Sequence, residues 1–256
     1  MGITAIIHTF NSEKYLEECL SSVCSCDEII VCDMHSTDKT IEIAQKFGAK
    51  IIYHENVGYA DPARNFALEH AQSDWILVVD SDEIIPDKLL KYLKEQITKQ
   101  NCPDVFAIPR KNYMFGKWIK GAGWYPGQQV RFFRKGYAWW PPQVHCMPET
   151  KGILLTISGE RTDLAMIHYN YDTIESFISR LNKYTSLEAE KYVLSGKKYS
   201  LFNLLFRPFW VFIRLYFIKK GYLDGIQGFF LCYMMAFYRF SLLAKVWDNN
   251  RLKSGK

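Results

Sequence analysis

Ile76-Leu77-Val78-Val79-Asp80-Ser81-Asp82-Glu83 is the stretch on which the reading of this chain turns. Four apolar residues run straight into a cluster of acids. A short continuous apolar run of this kind predicts a strand buried on both faces, here residues 75–79, ending at Asp80. In open α/β sheets ligands bind at the carboxyl ends of strands, so the acids stand where a site is expected. Their oxygen ligands suit Mg²⁺ or Mn²⁺, which keep open positions for diphosphate oxygens. At a strand-to-turn junction both Asp80 and Asp82 can reach one ion, which would neutralise charge growing on a leaving nucleoside diphosphate. The plainer alternative is an acidic turn ahead of a helix.

Working outward, the front half alternates β-branched runs with helical patterns. Residues 3–7, 28–32 and 50–53 read as strands. Residues 12–23, 37–47 and 63–71 read as helices, with Ser12 capping the first and Gly48 stopping the second. Downstream, Pro86 opens a helix that ends near Ile97. Strand–helix alternation predicts an α/β fold with a Rossmann-like, mostly parallel sheet and helices on both faces. Two further strand ends then carry polar groups: His8-Thr9-Phe10-Asn11 and Asp33. An acid in the position of Asp33 accepts hydrogen bonds from a base or ribose in nucleotide folds. Ser36, Thr37 or Asp38 beyond it is placed to cap the next helix.

Residues 104–168 differ, with short strands, many aromatics and Gly/Pro turns. Trp124-Tyr125-Pro126 and Trp139-Trp140-Pro141-Pro142 offer either stacking faces for an acceptor sugar or the core of a small β subdomain. Asp172-Thr173-Ile174-Glu175 reads as a capping box opening a helix to about Leu194, with Gly196 beyond its end.

Composition fits a folded globular chain: 256 residues, 48% hydrophobic and 16% aromatic, which excludes disorder. Charge is uneven. Residues 197–256 hold eleven Lys/Arg against Asp224 and Asp248, so this tail carries +9 and residues 1–196 the remaining −4 of the chain's +5. An acidic front half argues against a nucleic-acid groove there, whereas the basic, aromatic-rich tail suits anionic lipid. The seven cysteines are scattered without paired C-x-x-C clusters, which argues for reduced thiols on a cytosolic face. The apolar run at residues 3–7 is too short for a signal-peptide core, so secretion is not expected.

In the tail, residues 201–218 and 229–246 are long and apolar but interrupted by Arg207, Pro208 and Arg214, then by Arg239 and Lys245. A spanning helix wants about 20 predominantly apolar residues, and each buried Arg costs roughly 2.5–3.5 kcal/mol. The pattern predicts an amphipathic helix pair lying in the membrane interface with its basic groups snorkelling to phosphates. A helical hairpin packed on the core is the alternative. The expected division is therefore 1–196 as the catalytic α/β domain and 197–256 as a helical membrane-associating region.

An ordered set of motifs carries a resemblance. Ala5-Ile6-Ile7-His8-Thr9-Phe10-Asn11, the pattern Glu13 to Val23, Ile30-Val31-Cys32-Asp33 with Ser36 to Thr40, Arg64-Asn65 and Asp80-Ser81-Asp82-Glu83 together resemble inverting family-2 glycosyltransferases of the GT-A fold. Gln128 to Arg134, Val144-His145, His168 to Tyr171 and Gly221-Tyr222-Leu223-Asp224-Gly225 resemble the lipopolysaccharide-core β-glucosyltransferase subgroup. The resemblance implies a nucleoside-diphosphate sugar donor, often a UDP-sugar. Thr9 and Asn11 would line the nucleotide pocket, Asp33 would meet base or ribose, Ser81 would contact the donor, and Arg64 would approach the nucleotide or diphosphate, with a surface ion pair as its alternative. Asp80 and Asp82 would hold it through the metal, with His168 completing the metal shell. Lys39 is expected in solvent.

Inversion by direct displacement requires a base for the acceptor hydroxyl. The subgroup shows Val-His-Glu where this chain has Val144-His145-Cys146, so an acid is missing. Glu149, His145 and Asp61 are the remaining candidates. The expected acceptor is a lipid-linked or lipopolysaccharide-core saccharide at the cytoplasmic face of the inner (plasma) membrane. Two rivals are weighed: a nucleotidyltransferase, against which stands the lack of a Gly-rich phosphate loop near the first strand, and a membrane-bound carbohydrate-binding scaffold without turnover. No G-x-G-x-x-G follows the first strand, which disfavours a dinucleotide-dependent oxidoreductase.

Overall fold

A computed structural model of the chain describes residues 1–56, 61–141, 147–195 and 200–253. It divides into two units, Met1–Lys111 with Gly127–His168, and Asn112–Pro126 with Tyr169–Lys256.

The first unit is built on a parallel run: β1 Ile3–Thr9, β2 Glu28–Asp33, β3 Lys50–Tyr53 and β4 Trp75–Asp80. Helices α1 Glu13–Val23, α2 Thr40–Lys46 and α3 Asp61–His70 connect them, and α4 Asp87–Ile97 follows the two-residue strand β5 Glu83–Ile84. β6 Val105–Ile108 comes next, then β7 Arg110–Met114, β8 Lys117–Trp118, β9 Gln129–Arg134, β10 Ala138–Trp139, β11 Glu149–Thr150, β12 Leu154–Thr156 and β13 Met166–Tyr171. Among the described residues the main sheet has seven strands in the order β12-β6-β9-β4-β1-β2-β3. β1 pairs in parallel with β2 on one side and β4 on the other, and β9 runs antiparallel beside β4. This is the mixed α/β sheet that the strand–helix alternation predicts.

The period-two geometry of strands sorts the core onto two faces. Ile3, Ala5, Ile7, Trp75, Leu77 and Val79 pack with Leu16 and Leu20 of α1 and Leu89 and Leu93 of α4. Ile6, Ile30, Ile76 and Val78 pack the other way, against Ala63, Ala67 and Ala71 along α3. The small residues of α3 let that helix lie close to the sheet. Trp75, Phe106 and Phe132 form a ring cluster beneath the first face.

Local signals set several boundaries. Gly48 sits at φ +66°, the left-handed position that ends α2 and that glycine adopts without strain. Ser12 occupies the N-cap position of α1, but its side chain makes no capping bond; it accepts from the Phe10 N–H and the Ser81 hydroxyl instead. The second helix starts at Thr40, three residues after the predicted Thr37, because Asp38 accepts from the Thr40 N–H and hydroxyl and holds that segment as a turn.

The second unit contains α5 Ile174–Leu194, α6 Leu201–Ile213 and α7 Gly225–Lys253. The cap of α5 is Thr173, which exchanges bonds with Ser176, not the Asp172/Glu175 pair expected from sequence. α6 passes into a π-helical turn, Arg214–Ile218, and then a 3₁₀ turn, Gly221–Asp224. Phe177 and Leu181 of α5 pack with Leu231 and Met234 of α7, together with Met114 and Ile119 of the β7–β8 region. Farther along, Ala189 meets Leu242 and Val246. Lys245 of α7 donates to the Asn182 carbonyl, Thr185 and Ser186 on α5.

The Gly221-Tyr222-Leu223-Asp224-Gly225 motif closes this unit. Asp224 is buried, and its carboxylate accepts from the backbone N–H groups of Lys120 and Gly121 at 3.0 and 2.7 Å. Lys117 donates to the Asp224 carbonyl at 2.8 Å. A methyl group at Gly121 would strike the Lys220 carbonyl, and one at Gly228 would strike the Gly221 carbonyl. These glycines permit a close backbone approach that any side chain forbids.

Candidate active site

The parallel strands switch direction of travel around β1, with β2 and β3 on one side and β4 on the other. Ligand crevices form outside the carboxyl ends of strands at such a switch point. Thr9, Asp33 and Asp80 are the terminal residues of β1, β2 and β4.

Asp33 is fully buried. One carboxylate oxygen accepts from the Thr9 hydroxyl at 2.7 Å and the Ser36 hydroxyl at 2.6 Å, and the other from the Ser36 N–H at 2.8 Å. Thr9 thus acts on Asp33. Asn11, at φ +48°, accepts through its side-chain oxygen from the Thr37 N–H, and its own N–H donates to Ser36. These five residues weld the β1 and β2 end loops into one edge of the crevice. Lys39 is exposed.

On the other edge, charges form a buried lattice. Asp80 accepts from Arg64 Nη2 at 2.7 Å through Oδ1, and from Arg131 Nη2 through Oδ2. Arg131 also meets Glu83 Oε1 at 2.9 Å, and Arg110 reaches the same oxygen at 3.1 Å. The other Glu83 oxygen accepts the Asp80 N–H at 2.9 Å, closing the turn back on the strand. Glu83 is wholly buried and Arg131 nearly so. Burial alone would raise the Asp80 pKa, but Arg131 and then Arg64 outweigh it and hold the carboxyl well below the usual range. Burial presses the Arg131 pKa down, and the facing Asp80 and Glu83 carboxylates raise it above the ordinary guanidinium value.

His8 lies beside this lattice, paired in register with Asp80. Burial, then Arg64, and also Arg131, push its pKa down to about 3, against the opposing pull of Asp80. The ring is neutral at any physiological pH.

Asp82 faces elsewhere. Its Oδ1 lies 3.6 Å from His168 Nε2, and His168 sits on β13 in register with Glu83 of β5. The sequence reading placed Asp80 and Asp82 on one cation. The structure brings Asp82 to His168 and gives both Asp80 oxygens to guanidinium groups. A carboxylate oxygen and an imidazole nitrogen this close suit two adjacent ligands of a Mn²⁺-type ion. Among the described residues no cluster of three or more His, Cys, Asp or Glu side chains forms a complete cage. Ser81 donates to Ser12, so it links the β4 turn to the β1 loop.

Of the base candidates, Glu149 lies on β11, exposed, and accepts from Trp139 Nε1 at 3.1 Å. Asp61 is the first residue of α3, and nothing of its side chain is described. His145 lies outside the described residues, as do Val144, Pro142 and Gly196. Trp140 is buried with the Arg64 guanidinium 5.3 Å from its ring, while Trp139 is exposed; Trp124 is partly buried in the second unit's core. The sequence reading did not foresee Arg131, Arg110 and Glu83 as partners of Asp80. The available signal was Arg131 itself, an arginine set in the apolar strand run Val130-Arg131-Phe132-Phe133.

Comparison with known proteins places this geometry. The model of the family described as Glycosyl transferase family 2 matches residues 4–156. The lipopolysaccharide core biosynthesis glycosyltransferase LpsC of Rhizobium meliloti is 28% identical, over 99% of this chain and 95% of that protein. The glycosyltransferase RT0209 of Rickettsia typhi is 30% identical, over 95% of this chain and 86% of that protein. The crystal structure of S. aureus TarS 1-349 in complex with UDP shares the fold, with a TM-score of 0.51 and 19% identity over 100% of this chain and 92% of that one.

Proposed function

The chain belongs to glycosyl transferase family 2, with the GT-A fold, and from that premise we propose that it transfers a hexose from a UDP-sugar, with inversion, to a lipid-linked or lipopolysaccharide-core saccharide. The observation that carries the donor reading is the pairing of Asp82 with His168, 3.6 Å apart at the carboxyl end of the parallel sheet. The similarity to LpsC over almost the full length of both chains supports the acceptor class.

Asp82 and His168 would hold Mg²⁺ or Mn²⁺. The ion, when bound, supplies positive charge to the departing nucleoside diphosphate. Arg64 and Arg131 fix Asp80 in one ionised geometry, and Glu83 fixes the turn that presents Asp82. The Asp33 knot shapes the nucleotide end of the crevice. In the displacement, the acceptor oxygen bonds the anomeric carbon as the bond from that carbon to the phosphate oxygen breaks, and the hydroxyl proton passes to a base. Glu149, His145 and Asp61 are the candidates for it. Glu149→Gln, His145→Asn and Asp61→Asn separate them: the base variant loses turnover and keeps UDP affinity. If all three keep turnover, the base lies elsewhere.

The reaction is assigned to the cytoplasmic face of the inner membrane, and the tail supports that reading. Leu201–Ile218 and Gly221–Leu252 are long and apolar enough to cross a bilayer by length and composition, and no residue of α6 is buried. Exposed Arg207, Arg214, Lys219 and Lys220 favour an anionic surface.

The test is a panel of nucleotide sugars offered with a lipid-linked saccharide and Mn²⁺ or Mg²⁺, scoring the released nucleotide. Release of UDP with formation of glycosylated acceptor is expected. Release of pyrophosphate would assign the site to nucleotidyl transfer instead, and tight donor binding without turnover on any acceptor would assign it to a scaffold.

A further inference from the structure

Arg110 opens β7 and sends its guanidinium to Glu83, with Nη1 3.1 Å from Oε1. Its side chain is 17% exposed, while that of Glu83 is wholly buried. Among the described residues Glu83 is its ion-pair partner, and its buried Nε makes no hydrogen bond.

The pair reaches across a strand. β13 lies between β5 and β7, and the Met166 N–H donates to the Pro109 carbonyl at 2.9 Å. Neighbouring strands are about 4.8 Å apart, so an ion pair from β7 to β5 must pass over β13. His168 stands on β13 directly opposite Glu83, and residues directly opposite in an antiparallel pair share a face. Arg110 and Glu83 therefore span the strand that carries His168, on the face its imidazole occupies. Asp82 immediately precedes Glu83, with Oδ1 3.6 Å from His168 Nε2. All four residues belong to the first unit.

The backbone alone holds this register weakly. β5 has two residues, pairing Ile84 with Ile167 and Glu83 with His168. That falls short of the usual strand length of about five, so side-chain bonds carry more of the alignment. Arg131 meets the same Glu83 oxygen but also holds Asp80. Removing Arg131 disturbs both carboxylates, whereas removing Arg110 leaves Glu83 paired.

We propose that Arg110 is a positioning residue for the Asp82–His168 pair: by binding Glu83 across β13 it holds carboxylate and imidazole at the separation at which both reach one divalent ion. The inference rests on the reading of that pair as the ion's ligands and adds the group that sets their distance. Partners behind metal ligands typically carry about 10–100-fold of metal affinity.

The test is Mn²⁺ binding by the full chain with UDP present, followed by electron paramagnetic resonance of the free ion. The imidazole nitrogen coupling of the bound ion is read by electron spin echo. Arg110→Met keeps an aliphatic stem and removes the charge. It is expected to weaken Mn²⁺ binding by about tenfold or more and to reduce the nitrogen coupling, with metal-free UDP affinity unchanged. Unaltered Mn²⁺ affinity in folded Arg110→Met overturns the proposal. Weaker metal-free UDP binding would put Arg110 on the nucleotide and overturn it too. If Arg110→Met fails to fold by circular dichroism, Arg110→Lys carries the comparison, its single ammonium replacing the broad guanidinium. A several-fold loss of Mn²⁺ affinity is then expected, and unaltered affinity overturns the proposal. Asp82→Asn and His168→Asn tell the two readings apart. Both should lose Mn²⁺ binding; if both bind it as the unaltered chain does, the metal pair fails and the positioning role with it. If they lose it while Arg110→Met does not, the positioning role alone fails.

Discussion

Asp80 is the residue on which sequence and structure differ most instructively. In the sequence it is half of a D-x-D pair, equal in standing to Asp82. In the structure it is the centre of an ion lattice with Arg64, Arg131 and, through Arg131, Glu83. Removing one partner of a buried ion pair leaves an uncompensated charge, at a cost of about 3–5 kcal/mol. Arg131→Met should therefore lower the free energy of unfolding measured in urea by an amount in that range, because wholly buried Glu83 loses its closest cation. A change below about 1 kcal/mol, the level of an exposed pair, would contradict the lattice. Asp82→Asn should leave stability nearly unchanged, since Asp82 is partly exposed, but reduce turnover by about 10²-fold or more through loss of charge stabilisation. Intact turnover in Asp82→Asn would remove Asp82 from the site.

His8 supplies a pH signature of the same lattice. Its pKa is about 3 in the folded chain against 6.5 when free. Between those values the unfolded chain binds a proton that the folded chain refuses, so stability falls as pH drops below about 6.5. From about pH 7 to about pH 5 the expected loss at this residue is about 2 kcal/mol. Asp80, with its pKa lowered, adds its own loss only in more acid solution, below the ordinary carboxylate value. His8→Asn should flatten the urea-midpoint profile between those two pH values. An identical slope in the variant would mean that the ring takes up its proton while folded.

At the scale of elements, the front half was legible because each strand is a compact apolar run and each helix carries a local stop. The third strand, Lys50–Tyr53, has the predicted bounds, and the strand before the acidic cluster gains only Asp80. What the sequence did not show is long-range. Arg131 stands 51 residues from Asp80 and 48 from Glu83, and only the antiparallel placement of β9 beside β4 brings them together. The α5 cap was misplaced for a local reason: Asp172 and Glu175 match the capping pattern in sequence, yet Thr173 and Ser176 make the reciprocal bonds. Thr173→Ala should lose about 1 kcal/mol of stability, whereas Glu175→Ala should lose only a few tenths through the helix dipole. Equal losses in thermal or urea unfolding would return the cap to the pair read from sequence. In the tail, Gly228→Ala should cost about 1–3 kcal/mol or more, because its methyl group meets the Gly221 carbonyl.

At the scale of the whole molecule, composition foretold two chemistries: an acidic front half holding the candidate site and a basic, aromatic tail. The first unit presents its polar groups at the strand ends, while the second exposes large apolar side chains along α6, among them Phe202, Phe206, Phe209 and Trp210. Exposed apolar surface of this extent marks an interaction face. Flotation on anionic vesicles should weaken as salt rises and in Arg207→Glu/Arg214→Glu, since surface attraction is screened within about a Debye length. Salt-independent flotation would leave the apolar face acting alone.

The most direct test of the catalytic account is an anomalous difference map from crystals soaked with UDP and Mn²⁺. The expected peak lies between the Asp82 carboxylate and His168 Nε2, touching the diphosphate. UDP bound with the manganese peak elsewhere, or with no peak between those two side chains, would contradict it.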